Sequence, residues 1–195
     1  MKVNSYRNLE DLRFIPDFLN EAEHMYYYNR LVDEVVWTQR AIKFFGKEML
    51  QPRLLAWQGT ESYTYSGTTL SPLAFSPGVL ELKERVSQFT EQQFNSVLIN
   101  YYRKGNDSMG LHSDDEKELG SEPFIASLSL GHTRNMIFKS KNCGATERLL
   151  LTGGSLLIMS GKFQKNWKHA IPKTKKEIGG RINLTLRNIL SYLKN

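Results

Sequence analysis

The chain of 195 residues contains a single cysteine, Cys143, and no long apolar run. One cysteine excludes an internal disulfide and any zinc site built from several cysteines. The first seven residues lack the apolar core of a secretory signal, and no stretch approaches the roughly 20 apolar residues of a membrane-spanning helix. We therefore expect a soluble intracellular protein from a reducing compartment, in the cytoplasm or nucleoid of a bacterium or the nucleus of a eukaryote.

The sequence also lacks the motifs of several enzyme classes. It contains no P-loop, no dinucleotide-binding fingerprint and no convincing Ser/His/Asp or Cys/His set. Gly153-Gly154-Ser155 is better explained as a turn that enters a strand. Nothing in the sequence therefore favours nucleophilic or nucleotide-dependent catalysis.

Acidic residues are scarce in one region. Residues 139–177 carry nine Lys or Arg against two acids, whereas the whole chain has a net charge of +6. A local basic zone suits a partner with a phosphate backbone. An ordinary solvated face would have the same composition, so charge alone leaves both alternatives open.

Hydrophobic periodicity predicts two helices followed by strands. The first helix is expected from Asp17 as its N-cap, with Met25, Tyr26 and Val36 among the apolar residues at helical spacing. Ser76-Pro77 predicts the start of the second helix. After residue 93 the apolar runs are short and separated by turn residues, which favours a β-sandwich or jelly roll.

His112 and Asp114 are the first candidate site. Two positions apart on an extended strand, their side chains would point the same way. With one more histidine they would complete the two-histidine, one-carboxylate set that binds Fe(II) and leaves positions open for oxygen chemistry. His169 is the candidate third ligand, although a lone histidine beside apolar residues is more often a packed or surface residue.

Two predicted strands carry polar side chains at alternate positions. Asn100 and Tyr102 share one face of the strand that leads toward His112. In the strand from Arg181 to Arg187 every odd position is polar and every even position is apolar. The two arginines lie roughly 20 Å apart at their Cα atoms, which leaves space for a five-carbon dicarboxylate between their side chains. The ordinary alternative is that these polar side chains lie on the outer face of a sheet, exposed to solvent.

The order Asn-x-Tyr, His-x-Asp, a distant His and Arg-x-Asn-x-Thr-x-Arg resembles the AlkB family of Fe(II)- and 2-oxoglutarate-dependent dioxygenases, which repair alkylated nucleic acid by oxidative demethylation. The resemblance runs from about residue 45 to residue 187. It implies an α+β fold with a double-stranded β-helix (jelly roll) core, N-terminal helices and a β-hairpin nucleotide-recognition lid. It also implies one catalytic domain over 1–195, with the helices and lid in 1–92 and the jelly roll in 93–195.

The resemblance further implies the roles of the candidate residues. Iron would be bound by His112, Asp114 and His169, and no other catalytic side chain would be needed. 2-Oxoglutarate, which reacts with O2 while the substrate methyl group is hydroxylated and lost as formaldehyde, would be held through Arg181 at its distal carboxylate. The full set of implied cosubstrate contacts is Asn100, Tyr102, Arg181, Asn183, Thr185 and Arg187.

Upstream, the sequence resembles the members of the family that prefer double strands. A hairpin around residue 45 would place an apolar finger in the base stack, and a Tyr-rich segment would recognise the damaged base. The implied substrate contacts are Phe45, Arg53, Tyr63, Tyr65, Ser66, Asp115 and Glu116. As an alternative, the aromatic residues of this set would simply pack a sheet face or the core.

The implied partner is alkylated DNA, double-stranded or, as the alternative, single-stranded, bound by a monomer without any membrane. Its lesions would be of the 1-methyladenine or 3-methylcytosine type, which tend to be cationic. Tyrosine rings attract cations, and a weakened base pair is easier to open. Two alternatives remain open: a related oxygenase acting on RNA, protein or a small molecule, and a catalytically silent jelly roll that binds nucleic acid.

Overall fold

The computed structural model describes residues 4–5, 9, 11–44, 47–61, 63–65 and 68–190. The helices are α1 (Glu21–Glu34), α2 (Pro77–Thr90) and the short α3 (Phe163–Asn166). None of these helices has the length and apolar character that crossing a membrane requires. The strands, in chain order, are β1 (Asn4–Ser5), β2 (Leu12–Ile15), β3 (Ala41–Phe44), β4 (Lys47–Leu50), β5 (Leu54–Gly59), β6 (Tyr63–Tyr65), β7 (Thr68–Leu70), β8 (Ser96–Tyr102), β9 (Met109–His112), β10 (Ile125–Gly131), β11 (Arg134–Ser140), β12 (Thr146–Leu151), β13 (Leu156–Met159), β14 (Trp167–Ile171) and β15 (Arg181–Arg187).

Two antiparallel sheets form the core. The larger has seven strands in the order β1-β2-β13-β10-β15-β8-β5, and the smaller has four in the order β12-β11-β14-β9. One face of the larger sheet packs against α1 and α2, and its other face packs against the smaller sheet. This arrangement confirms the jelly-roll core with N-terminal helices that the sequence predicts.

The two-residue repeat of the strands sorts side chains between these faces. Ile182, Leu184 and Leu186 of β15 lie in the cluster formed with α1 and α2. Leu98 and Tyr102 of β8 lie in the second cluster, between the sheets. Polar residues at the alternate positions of β15 and β8 are therefore placed inside the molecule.

The first helix begins later than predicted. Its N-cap is Asn20, whose side-chain oxygen accepts from the Glu23 N–H while the Glu23 carboxylate accepts from the Asn20 N–H, both at 2.9 Å. This reciprocal capping box makes Asn20 the start of the helix, so the prediction of Asp17 is wrong. The predicted apolar face is wrong at Tyr26 and Val36, which are 58% and 65% exposed, whereas Val32 of the same prediction packs against the core. The second helix begins at Pro77 after Ser76, as predicted.

The segment expected to form the helices and lid also contributes to the core sheet. Strands β1, β2 and β5 precede residue 93 and belong to the seven-stranded sheet, so the expected boundary at residue 92 runs through that sheet. Two small hairpins lie in the same segment. In β3–β4, Phe44 is opposite Lys47, and in β6–β7, Tyr65 is opposite Thr68.

Candidate active site

Strand pairing brings the two candidate histidines together. His112 ends β9 and His169 lies on β14, and the two residues are directly opposite each other in the antiparallel pair. Their ring centroids are 4.2 Å apart. The side chain of Asp114 completes the group, with its carboxylate oxygens 3.9 Å from Nε2 of His112 and 3.7 Å from Nε2 of His169. One ligand atom from each of the three residues lies within 4.8 Å of the others, which suits a single metal ion.

Asp114 reaches this position from a loop. The strand ends at His112, so the expected alternation along one strand does not account for the meeting of the two side chains. Instead, the Asp114 N–H donates to Oε1 of Gln164 at 3.0 Å, and Nη2 of Arg187 donates to its Oδ1 at 2.6 Å. Both partners lie far along the chain, on α3 and β15.

The protonation states of the group suit metal binding. Nδ1 of His112 lies 2.9 Å from the carbonyl oxygen of Gly110, so Nδ1 carries the proton and Nε2 offers its lone pair. Burial alone would raise the pKa of Asp114, but Arg187 and the two imidazoles outweigh it and hold the pKa at about 2. Burial, reinforced by His112, lowers the pKa of His169 to about 3. At neutral pH the group is one carboxylate and two neutral imidazoles, as metal coordination requires.

The polar face of β15 forms a pocket beside this group. All seven residues of β15 are buried, which excludes an outer face exposed to solvent. Arg181, Asn183, Thr185 and Arg187 line one cavity together with Asn100 and Tyr102, and the same cavity includes His112, Asp114 and His169. The structure therefore brings all the predicted metal ligands and cosubstrate contacts together.

Arg181 is the residue of this pocket that is best suited to bind an anionic ligand. Its Nη2 donates to Oγ of Ser129 at 2.9 Å and its guanidinium lies 5.4 Å from the ring centre of Tyr102. Its Nε and Nη1 are buried without a hydrogen-bond partner. Burial lowers the pKa of Arg181 to about 10, which leaves it charged at neutral pH. A carboxylate that accepts from Nη1 and Nη2 in the paired geometry of guanidinium would give Nη1 a partner.

Asn183 and Thr185 line the pocket but are already engaged with protein groups. The Thr185 hydroxyl donates to Oδ1 of Asn183 at 3.1 Å. Nδ2 of Asn183 donates to Oγ of Ser127 at 2.8 Å and to the carbonyl of Leu128 at 3.1 Å. These hydrogen bonds fix the orientations of the Asn183 and Thr185 side chains in the wall of the pocket.

The charge inside the protein favours an anionic ligand. Four arginines are buried in the described part of the chain, against two buried carboxylates. The arginines are Arg53, Arg134, Arg181 and Arg187, and the acids are Asp107 and Asp114. Isolated buried charge is costly, so a dianion in the pocket would relieve this imbalance.

Residues 11–187 match the 2OG-Fe(II) oxygenase superfamily. The sequence is 37% identical over 187 residues to the DNA oxidative demethylase ALKBH2 of Mus musculus, covering 89% of this chain and 78% of the relative. The chain belongs to the AlkB family. The site fits the cofactors of this family, because two imidazoles and a carboxylate suit Fe(II) and the open N–H groups of Arg181 suit 2-oxoglutarate.

Two further matches describe the extent of the similarity. The alpha-ketoglutarate-dependent dioxygenase alkB homolog 3 of Rattus norvegicus is 40% identical over 184 residues, covering 89% of this chain and 62% of the relative. This chain thus spans a little under two thirds of that relative's length. The solved structure of OsALKBH1 aligns with a TM-score of 0.67 at 16% identity over 96% of this chain and 100% of that one, which shows the shared fold.

Several residues that build the AlkB-family site were missed in the sequence. Gln164 holds the loop of Asp114, and Ser127 and Ser129 hold Asn183 and Arg181. The alternation of serine with apolar residues along β10 was a readable signal for the two serines. Gln164 had no such signal, because its role depends on a contact 50 residues away along the chain.

The expected substrate contacts are arranged less uniformly. Asp115 is near the metal ligands, with a side chain 57% exposed, and its Oδ2 accepts from Nζ of Lys141 at 3.0 Å. Glu116 follows it and is half-buried.

The other expected substrate contacts lie apart from these acids along the chain. Tyr63 and Tyr65 lie on β6, whereas Phe45 and Ser66 lie outside the described residues. Arg53 is 5% exposed and donates to Asn100, so it lies beside the cosubstrate pocket.

Proposed function

We propose that this protein oxidatively demethylates N-alkylated bases in DNA, of the 1-methyladenine and 3-methylcytosine type, using Fe(II), 2-oxoglutarate and O2. One observation carries the proposal. The His112–Asp114–His169 group shares a cavity with the guanidinium of Arg181, two of whose nitrogens are buried without a hydrogen-bond partner. DNA is favoured as the substrate because the relatives named DNA oxidative demethylase are similar over most of this chain.

The protein's own residues would do three things in this reaction. His112, Asp114 and His169 would hold iron from one side, leaving its other positions open. Arg181 would bind the distal carboxylate of 2-oxoglutarate, and Asn100 and Tyr102 would line its path toward the metal. When bound, iron and 2-oxoglutarate would activate O2, the oxidant: one oxygen atom would enter succinate as 2-oxoglutarate is oxidised with loss of CO2, and the other would convert a methyl group to a hydroxymethyl group, which leaves as formaldehyde. The buried cavity keeps bulk water from these groups.

We assign recognition of the base to the substrate contacts expected from the sequence. Tyr63, Tyr65 and Ser66 would contact the extruded base, whose cationic ring is attracted by aromatic faces. Asp115 and Glu116 would add favourable negative charge. Such a base pairs poorly and costs less to extrude than a normal base. The basic side chains of the zone at 139–177 would bind the phosphate backbone of the DNA without recognising its base sequence.

The test is incubation of the purified protein with Fe(II), 2-oxoglutarate and oligonucleotides that carry one lesion each. We expect succinate, formaldehyde and the repaired base in equal amounts, measured by mass spectrometry. Omission of 2-oxoglutarate is the matched control. Succinate without repair of any DNA lesion would point to an RNA, protein or small-molecule substrate, and no succinate above background would point to a silent nucleic-acid binder.

The proposed preference for double strands depends on Phe45 as a wedge that fills the space left by the extruded base. Phe45→Ala should reduce repair both of a lesion in duplex DNA and of the same lesion in a single strand. The loss on the duplex should be about tenfold larger, because a single strand has no paired stack for the wedge to fill. Equal losses on both substrates would remove the wedge assignment.

The protein is further proposed to act as a monomer in an intracellular, DNA-containing compartment. The cavity is lined by residues of one chain, so a second copy is not needed to complete it. Light scattering of the purified protein should give a mass near 22.5 kDa. A stable dimer would contradict this part of the proposal.

A further inference from the structure

We infer that Arg53 is a positioning residue for the cosubstrate: it orients the side-chain amide of Asn100 so that its NH2 group is the donor offered to 2-oxoglutarate. The inference rests on the proposed function, since it takes 2-oxoglutarate as the ligand of the pocket. It changes the role of Arg53, which the sequence placed among the contacts to the substrate base.

The decisive contact is a short bond between two buried groups. Nε of Arg53 donates to Oδ1 of Asn100 at 2.7 Å, and the residues are 5% and 2% exposed. Guanidinium has only donors, so the amide atom that faces it must be the oxygen. The other amide atom, Nδ2, is then turned away from Arg53. Within the described residues no hydrogen bond engages that Nδ2.

Asn100 is well placed to use this donor on a ligand. It lines the cavity that holds the metal ligands. On the paired strands it is directly opposite Asn183, two residues from the point where Tyr102 is opposite Arg181. Asn183 keeps its own amide bonded to Ser127 and Thr185. Of the two facing amides, Asn100 is therefore the one with a free donor for the cosubstrate.

The surroundings of Arg53 disfavour direct contact with a base or phosphate. Little of the side chain is accessible. Its Nη1 points to the carbonyl of Ser108 at 3.4 Å, and the Ser108 N–H donates to the carbonyl of Pro52 at 2.8 Å. These contacts tie the Pro52-Arg53 turn to the segment that leads into β9 and His112. No described carboxylate forms a salt bridge with Arg53, so its buried charge also favours an anion in the pocket.

The test measures binding of 2-oxoglutarate by calorimetry, without oxygen and with Mn(II) in place of iron. Arg53→Lys keeps the charge but loses the rigid guanidinium fork, so we expect affinity for 2-oxoglutarate to fall by about 10- to 100-fold. Affinity for Mn(II) alone should be unchanged. Arg53→Met is the second variant if the lysine variant does not fold. Arg85→Lys, which changes an arginine paired with Glu23 elsewhere on the surface, is the matched control and should bind normally.

A double-mutant cycle separates positioning from general support of the fold. In an Asn100→Ala background, Arg53→Lys should cause no further loss of affinity for 2-oxoglutarate, because its effect acts through Asn100. Losses that add independently would overturn the inference. So would unchanged affinity for 2-oxoglutarate in Arg53→Lys, or a rise in the KM for oligonucleotide alone. Failure of the wild-type protein to bind 2-oxoglutarate would instead contradict the proposed function.

Discussion

The pocket between the sheets differs in construction from the mouth of the site, by which we mean Asp115 and Glu116, the two residues that follow Asp114 of the cavity lining. In the pocket, Arg181, Arg187 and His169 are at most 4% exposed, and each lies on a strand whose pairing sets its direction. At the mouth, the Asp115 side chain is 57% exposed and is paired with Lys141 at 3.0 Å. The pocket is thus prepared before any ligand arrives, whereas the proposed contacts at the mouth would be completed only by a bound substrate. Changes in the pocket should therefore have larger effects than changes at the mouth.

The largest effect is expected for His112→Ala. Loss of one of three metal ligands should reduce succinate formation by more than about 100-fold. Binding of duplex DNA, measured by fluorescence anisotropy, should be nearly unchanged because the proposed DNA contacts do not include His112. His132→Ala, at an exposed histidine, is the control and should keep full turnover. Retained turnover in His112→Ala would refute the metal assignment.

Arg181→Met should raise the KM for 2-oxoglutarate by about 100-fold, since it removes a paired carboxylate contact. The same variant should unfold at no lower temperature than the wild type without ligand, because Nε and Nη1 of Arg181 are buried without partners and methionine removes that cost. Steady-state kinetics measures the KM for 2-oxoglutarate, and a thermal unfolding curve without ligand measures the unfolding temperature. A lower unfolding temperature with an unchanged KM would mean that Arg181 only supports the fold.

Gln164→Met should weaken Mn(II) or Fe(II) binding by about tenfold. It removes the acceptor of the Asp114 N–H while keeping a similar volume, so the loop that carries the carboxylate is less well held. Metal titration by calorimetry provides the measurement. Gln92→Met, at an exposed glutamine, is the matched control. Equal metal affinity in the two variants would show that the hydrogen bond does not position Asp114.

The smallest effect is expected at the mouth, for Asp115→Asn. Because this carboxylate is exposed and paired with Lys141, its influence on a cationic base should be modest. We expect the preference for 1-methyladenine over a neutral lesion to fall by about two- to fivefold in competition assays. Glu122→Gln, at another exposed acid, should leave the preference unchanged. A loss as large as that of Arg181→Met would contradict the distinction between pocket and mouth.

The sequence was informative wherever a two-residue repeat reports which side chains share a face. The alternation in β15 and the Asn-x-Tyr of β8 indicated which polar side chains share a face, the family resemblance assigned them to the pocket, and the short apolar runs favoured a β-sandwich or jelly roll. It was less informative where contacts at long range compete with local signals. The start of α1 was misplaced because the capping box of Asn20 and Glu23 outweighs the isolated signal of Asp17.

By itself, the sequence determined the polar face of β15 and the class of fold, because these follow from residue type and strand periodicity, and its resemblance to the AlkB family implied which residues would bind the metal. Only the tertiary structure decided that this polar face is buried, since a strand pattern does not say what covers it. It also decided that Asp114 is held by Gln164 and Arg187, and that Arg53 binds Asn100. Such contacts join residues 47 to 73 positions apart, and their geometry exists only once the two sheets have packed together.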